Sequence, residues 1–254
     1  TMNLGSYNIS DNYNDDMLFM RLEMDVGVSV DFNLINLYVD FDKWSLGSQA
    51  NPAKLETTTI FTEDWSDRGV SNGWSVVQDP SEENLWAIST GTSRSNIYSA
   101  HITNDLGVTD VYEYSTTNSQ GGAHLYADFS IPANARTLTV NFYWTCLGEN
   151  GSSVNNYDYG RIGIAPTSYT PSDNLEFTSS YRVGATSNNN KFNEDYNGGA
   201  STGNWTFESI PVPSSLWSAG SDARLILQWK NDGSVGDQPP FAVDDISIEV
   251  ESIK

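Results

Sequence analysis

The chain has 254 residues, 33 of them acidic and 12 basic, for a formal net charge of −21. That field opposes polyanions, which excludes nucleic acid as a partner class, and no apolar run approaches the roughly 20 residues of a membrane span, which excludes membrane insertion. The length suits one large all-β domain or one domain plus a fragment, and 8 Trp, 13 Tyr and 10 Phe beside abundant Asn, Ser, Thr and Gly suit a secreted or cell-surface protein.

The opening TMNLGSYNIS has neither the positive end nor the apolar stretch of an export signal, so any such signal is expected outside this chain, as part of a larger multidomain protein. Leu18–Ser29 followed by Leu37–Trp44 shares a layout with Leu225–Gly236 followed by Phe241–Ile248: an alternating strand, an Asp/Gly/Ser turn, then a strand carrying Val-Asp. Residues 1–50 therefore read as the tail strands of a preceding β module or an extra N-terminal hairpin. Residues 51–59 read as a linker or a first strand, overlapping a candidate linker from Ser45 to Glu56, and 60–254 as the main domain.

Period-two patterning then dominates. Strands are expected at Thr57–Phe61, Trp74–Val77, Leu85–Ile88, Ile97–Ile102 and His124–Ile131. In Arg136–Trp144, Leu138, Val140, Phe142 and Trp144 alternate with Thr137, Thr139, Asn141 and Tyr143, so one face is buried. Further strands are expected at Gly160–Ala165, Trp205–Ile210, Ala223–Lys230 and Phe241–Val250. Turn-forming clusters such as GENGSSVNN, YNGG and NDGSVGDQPP separate them. Many short strands with such punctuation, and almost no 3.6-residue period, predict a two-sheet antiparallel β-sandwich with very little helix. Trp74, Trp86, Trp144, Trp205 and Trp229 lie on these strands and are assigned to packing; Trp217, Tyr157 and Tyr159 are expected to be exposed.

From Ile60 onward the chain resembles the choice-of-anchor J and cleaved-adhesin jelly-roll modules of secreted Bacteroidetes-type surface proteins, relatives of MAM domains. The resemblance rests on Phe61-Thr-Glu-Asp-Trp65, Gly73-Trp74, Trp86, Trp144-Thr-Cys-Leu-Gly-Glu149 with Asp158-Tyr159, Trp205 before Ile210-Pro-Val, and the closing Gln228–Pro240 and Ala242–Ile248 blocks. It implies a MAM- or concanavalin-like jelly roll used for cell adhesion or ligand binding, exported by the type IX secretion route. The animal MAM cysteines are missing, for Cys146 stands alone.

Two acidic groups carry the candidate chemistry. Glu63, Asp64, Asp244 and Asp245 would meet if the first and last strands are neighbours, and a structural Ca²⁺ would relieve their repulsion, since calcium takes six to eight oxygens at flexible angles. The alternative is that they are edge-strand charges that discourage sheet pairing. Strand alternation points adjacent acids opposite ways, so only one of each pair need be a ligand through its side chain. Glu149, Asp158, Asn231 and Asp232, with Tyr157 and Tyr159 beside them, form a second candidate site for a glycan or a cell-surface protein; Trp217 is a further candidate contact. A plainer reading pairs Lys230 with Glu149 and leaves the Asx residues to make turns. The long polar loops 148–159, 186–204 and 231–240 are the expected binding loops.

Catalytic residues are not assigned. HExxH and GxSxG elements are missing, and Cys146, with His101 and His124, falls short of a zinc set. A glycoside hydrolase, which needs two acids about 5–9.5 Å apart, is the runner-up through Asp244–Glu249, a stretch that superficially resembles the acid-rich strand of concanavalin-like glycosidases. The reading is thus a non-catalytic binding or adhesion module contacting glycan or protein. An accessory or catalytic module of a polysaccharide-degrading enzyme and a structural spacer repeat of a giant adhesin are the alternatives.

Overall fold

The computed structural model describes residues 55–113, 120–149, 157–173, 175–184, 190–193 and 204–253. These all belong to one compact unit, Ala50–Lys254; the expectation for residues 1–50 lies outside the described residues.

Eleven strands are named: β1 Leu55–Glu63, β2 Ser75–Val77, β3 Leu85–Ser89, β4 Ser99–Thr103, β5 Gln120–Ser130, β6 Ala135–Thr145, β7 Tyr159–Pro166, β8 Arg182–Val183, β9 Thr206–Pro211, β10 Asp222–Asn231 and β11 Ala242–Ile253. The two described 3-10 turns, Ser179–Tyr181 and Ser214–Leu216, are three residues each. Every expected strand from Thr57 onward forms, with boundaries moved by a few residues. The two-residue β8 was not foreseen, being too short to show a period. β1 is described from Leu55 onward.

All pairings are antiparallel and build two sheets. The first runs β3-β4-β11-β6-β9, with β1 also on β11; the second runs β2-β5-β10-β7-β8. The chain crosses between sheets from β5 to β6 to β7, and again from β9 to β10 to β11, which is jelly-roll winding. The all-β sandwich read from the sequence is the architecture found.

The alternation in β6 is realised: Leu138, Val140, Phe142 and Trp144 are buried, while Thr137, Thr139, Asn141 and Tyr143 face outward. Opposite them, Leu225, Leu227 and Trp229 of β10 and Leu125, Ala127 and Phe129 of β5 close the core. Each such large apolar side chain contributes about 1.5–3 kcal/mol by leaving water. Phe192 joins the layers, with ring centroids 5.4 Å from both Phe142 and Trp144 and 6.0 Å from Phe241. It is fixed by reciprocal backbone hydrogen bonds with Gly160, 2.9 and 3.1 Å.

The second sheet departs from one-sided burial. Ile226, between Leu225 and Leu227, is fully buried on the other face with Ala165 and Phe177. The segment Leu175–Tyr181 lies over that outer face, and Gly163 leaves room for Phe177, whose ring a Cβ there would approach to 2.5 Å. Burial on both faces explains why β10 reads as a nearly continuous apolar run.

Gly160 is equally constrained, because a Cβ on it would overlap the Phe241 ring. Gly160→Ala is expected to destabilise the fold by about 1–3 kcal/mol through overpacking, seen as a drop of several degrees in melting temperature. An unchanged melting curve would show that Phe241 is free to move aside.

Candidate functional site

β1 and β11 are neighbours, so the two acidic pairs do reach one end of the first sheet. Glu63, Asp64 and Asp245 line one cleft of about 360 Å³ with Thr62, Ser66 and Ser71; Asp244 does not line it. Glu63 is buried and stitches the following loop: Oε1 accepts from Trp65 N at 2.7 Å, and Oε2 from Asn72 Nδ2 and the Trp74 indole, both 2.8 Å. Asp64 is exposed and accepts from Ser66 N at 3.0 Å. Asp244 is fully buried; its Oδ2 accepts from Arg94 N at 2.9 Å and its Oδ1 from Asp245 N at 2.8 Å. Asp245 pairs with the Arg94 guanidinium and accepts from Ser95 Oγ at 2.6 Å.

Glu63 and Asp244 are thus buried and bound up in the fold, while Asp64 and Asp245 keep some exposure; of the four, only Asp244 is withdrawn from the cleft. The oxygen-rich lining suits a hard cation. Such an ion would have to draw Arg94 off Asp245, and among the described residues no three acidic, His or Cys side chains group as a metal set. Asp244 and Glu249 do not form a hydrolytic pair: Asp244 is committed to backbone N–H groups, and Glu249 sits opposite Thr139 on the outer face.

Glu149, Asp158, Asn231 and Asp232 meet at the end of the sandwich where β6 and β10 finish and β7 starts. Asp232 N donates to Asp158 Oδ1 at 2.8 Å, the Tyr112 hydroxyl to Asp158 Oδ2 at 2.6 Å, Glu149 N to the Asp158 carbonyl at 3.3 Å, and Tyr157 N to Glu149 Oε2 at 2.6 Å. Asn231 is buried and accepts from the Trp229 indole and Asn84, both 3.2 Å.

These bonds hold loops together. Asp158, Asn231 and Tyr159 are buried, while Tyr157 is 44% exposed. Three expectations need correcting. Tyr159, expected to be exposed, is buried, because it lies on the covered outer face of β7 with its hydroxyl donating to Glu176 Oε1 at 3.0 Å. Lys230 pairs with Glu176 at 2.7 Å and not with Glu149, because it lies on the outer face of β10 beneath the Leu175–Tyr181 segment. Trp217 lies at the other end, the length of β10 away from Asn231, half-buried against the core with its indole donating to the Val212 carbonyl at 3.3 Å. Parts of the expected binding loops, residues 150–156, 185–189 and 194–203, lie outside the described residues.

The most open aromatic surface was not singled out from the sequence. Tyr143 of β6 and Phe207 of β9 face each other across the outer side of the first sheet, ring centroids 5.1 Å apart, with Phe207 52% exposed. The Arg94 guanidinium stands 3.4 Å over the Tyr143 ring. Along the same face run register rows of polar groups: Ser209, Asn141, Ser247 and Thr62 in one, Thr139, Glu249 and Thr59 in the next. The signal was the outward set of β6, which carries one tyrosine among Thr and Asn. Rings beside hydroxyl, amide and carboxylate groups on a flat sheet can stack on a sugar face and hydrogen-bond its hydroxyls.

No family model and no curated protein matches the chain. Among solved structures, it is similar to the enzymatically active domain of bacteriophage CBA120 tailspike protein 4 (TM-score 0.40, 8% identity), over 74% of this chain but only 20% of that one. It is also similar to Caldicellulosiruptor saccharolyticus CBM27-1 in complex with mannohexaose (TM-score 0.39, 12% identity, 76% of this chain and 96% of that one). A third is TmCBM61 in complex with β-1,4-galactotriose (TM-score 0.38, 9% identity, 73% and 97%).

The loop-end cluster carries a pH signature. Burial pushes the Asp158 carboxyl up to about 7, although Tyr112 and Asp232 both donate to it. Folding thus favours its protonated form, a stabilisation fully present below the ordinary carboxylate pKa of about 4 and lost as pH rises through 7. Asp158→Asn, neutral throughout, is expected to melt progressively higher relative to the unsubstituted chain between pH 5 and pH 8. Melting curves that run parallel across that range would place the ionised carboxylate in the folded state.

Proposed function

We propose that the domain is a non-catalytic glycan-binding module displayed at the cell surface or secreted, and that its contact surface is the outer face of the first sheet. The observation that supports this reading is the exposed Phe207 beside the Arg94-capped Tyr143, continued by rows of Ser, Thr, Asn and Glu. Among the described residues no helix is long and apolar enough to cross a membrane. Membership of the choice-of-anchor J and cleaved-adhesin group, and export by its route, remain part of the proposal on the strength of the sequence resemblance.

The test is retention on a panel of immobilised polysaccharides, with reducing-sugar release measured in parallel. At least one neutral polysaccharide is expected to retain the protein without being cleaved. Phe207→Ala should weaken that binding about three- to tenfold, the worth of one aromatic contact. Sugar release would favour the hydrolase reading, and no retention on any member would favour the spacer.

Calcium enters this proposal as a structural ion held by Glu63, Asp64 and Asp245. An ion bound only to the folded state raises its stability by mass action, so chelator should lower the melting temperature and added Ca²⁺ restore it. An unchanged melting temperature would leave Glu63 and Asp245 to act solely through the protein hydrogen bonds described above.

A further inference from the structure

The chain has only 12 basic residues, yet Arg161, Arg182 and Lys230 gather around one carboxylate, Glu176. Arg182 Nη2 lies 2.7 Å from Oε2, Lys230 Nζ 2.7 Å from Oε1, and Arg161 pairs with Oε2 as well. Arg224, on the same sheet face, shows what a matched guanidinium looks like: Nε and Nη2 meet the two oxygens of Asp128 at 2.7 and 2.9 Å. Around Glu176 there is no such match. Among the described residues three cations face one carboxylate, and the Nε atoms of Arg161 and Arg182 are buried without an acceptor, in Arg161's case on a side chain only 1% exposed. Buried cationic donors left unpaired are costly and are drawn toward any anion that reaches them.

We propose that Arg161, Arg182 and Lys230 form an anion site on the outer face of the second sheet that takes a carboxylate or sulfate group carried by a sugar. The site lies across the sandwich from Tyr143 and Phe207 and does not rest on the reading given for that face. Solvent reaches it, since the Glu176 and Lys230 side chains keep 28% and 25% of their exposure. The local field is strong: burial alone would raise the Glu176 carboxyl, but Lys230 and Arg161 pull it down to about 2.

A sugar is favoured over other anions by the neighbours. Tyr169 and Tyr181 are partly exposed on the same face beside Ile226, their rings 4.9 Å apart, and Tyr181 adjoins Arg182 in the chain. Aromatic rings beside a cation pair suit a charged sugar ring. Duplex nucleic acid carries one charge per about 1.7 Å of its axis, a density that a chain of net charge −21 repels more strongly than it repels a polysaccharide bearing one or two acid groups per sugar.

Affinity electrophoresis of the intact chain at low salt tests this, with polygalacturonate as the carboxylated polymer, dextran sulfate as the sulfated one and galactomannan as the neutral reference. Retardation by at least one anionic polymer is expected, and which of the two identifies the group. Lys230→Gln should weaken it about tenfold, as expected for one charged hydrogen bond. Glu176→Gln should strengthen it, because the internal competitor is gone; this opposite sign decides the matter if Lys230→Gln fails to melt cooperatively. Arg136→Gln, the same charge change at an exposed position of β6, should have no effect.

Retardation by neither anionic polymer would overturn the proposal. So would equal weakening by Arg136→Gln and Lys230→Gln, which would reduce the effect to net charge. Equal competition by polyglutamate would overturn the assignment to sugar and point to an acidic polypeptide.

Discussion

Among the named strands, β11 alone has three partners, and the geometry of the first sheet follows from how it serves them. Along one side it pairs with β6 for nearly its whole length. Along the other it pairs with β4 at Ala242 and Val243 and then with β1 from Ile246 onward. A single strand edge cannot pass from one partner to the next without a break, and the break falls at Asp244–Asp245, where the register shifts and Asp245 takes a positive φ of 47°. Both carboxylates hold Arg94 and Ser95 across it. That grip places the Arg94 guanidinium on Tyr143, so the aromatic end of the outer face depends on a hand-over of strand pairing.

The second sheet meets a different constraint. With Leu175–Tyr181 drawn across it, β7 and β10 are buried on both faces, and their polar residues must be satisfied inside the protein. Arg224 at one end reaches Asp128 and the Tyr169 carbonyl. At the other end Glu176 is delivered by the covering segment itself, and three cations converge on it. A covering segment that brings one carboxylate to three cations leaves an excess of positive charge at one place. It is the inverse of the molecule's overall balance.

Strand positions were legible in the sequence because they rest on a two-residue period and on turn residues, both local properties. The pairing of first and last strands was legible too, through the fold-level expectation for a jelly roll. What alternation could not convey is burial of the second face of β10, which depends on Phe177, some 50 residues upstream, coming to lie over Gly163. Lys230 was misassigned for the same reason: Glu149 and Glu176 are equally plausible partners on paper, and only the path of the covering segment chooses between them. In the acidic groups, chemistry was visible but orientation was not. Asp158 and Asn231 look like loop residues open to solvent, yet their hydrogen bonds to Tyr112, Asp232 and Asn84 draw them inside. Tyr143 was placed on the outward face of its strand, but that Phe207 lies beside it depends on the pairing of β6 with β9, which is not a local property.

Both candidate surfaces lie on strands, whereas the sequence directed attention to loops. The difference matters for weak ligands such as sugars, whose individual contacts are small and easily cancelled by the ordering of a mobile segment. Tyr143 sits on a strand hydrogen-bonded on both sides, and Arg94 is pinned at its backbone N–H as well as at its guanidinium. Arg161 is held between its carboxylate and the Tyr159 ring, 4.5 Å from the ring centroid. Groups already fixed in this way lose little freedom on meeting a ligand, so a modest stacking or ionic contact survives as net affinity. On the proposed reading, such a face would bind through what the fold has already arranged, with specificity set by the spacing of strands, about 4.8 Å, against the spacing of groups along a saccharide chain.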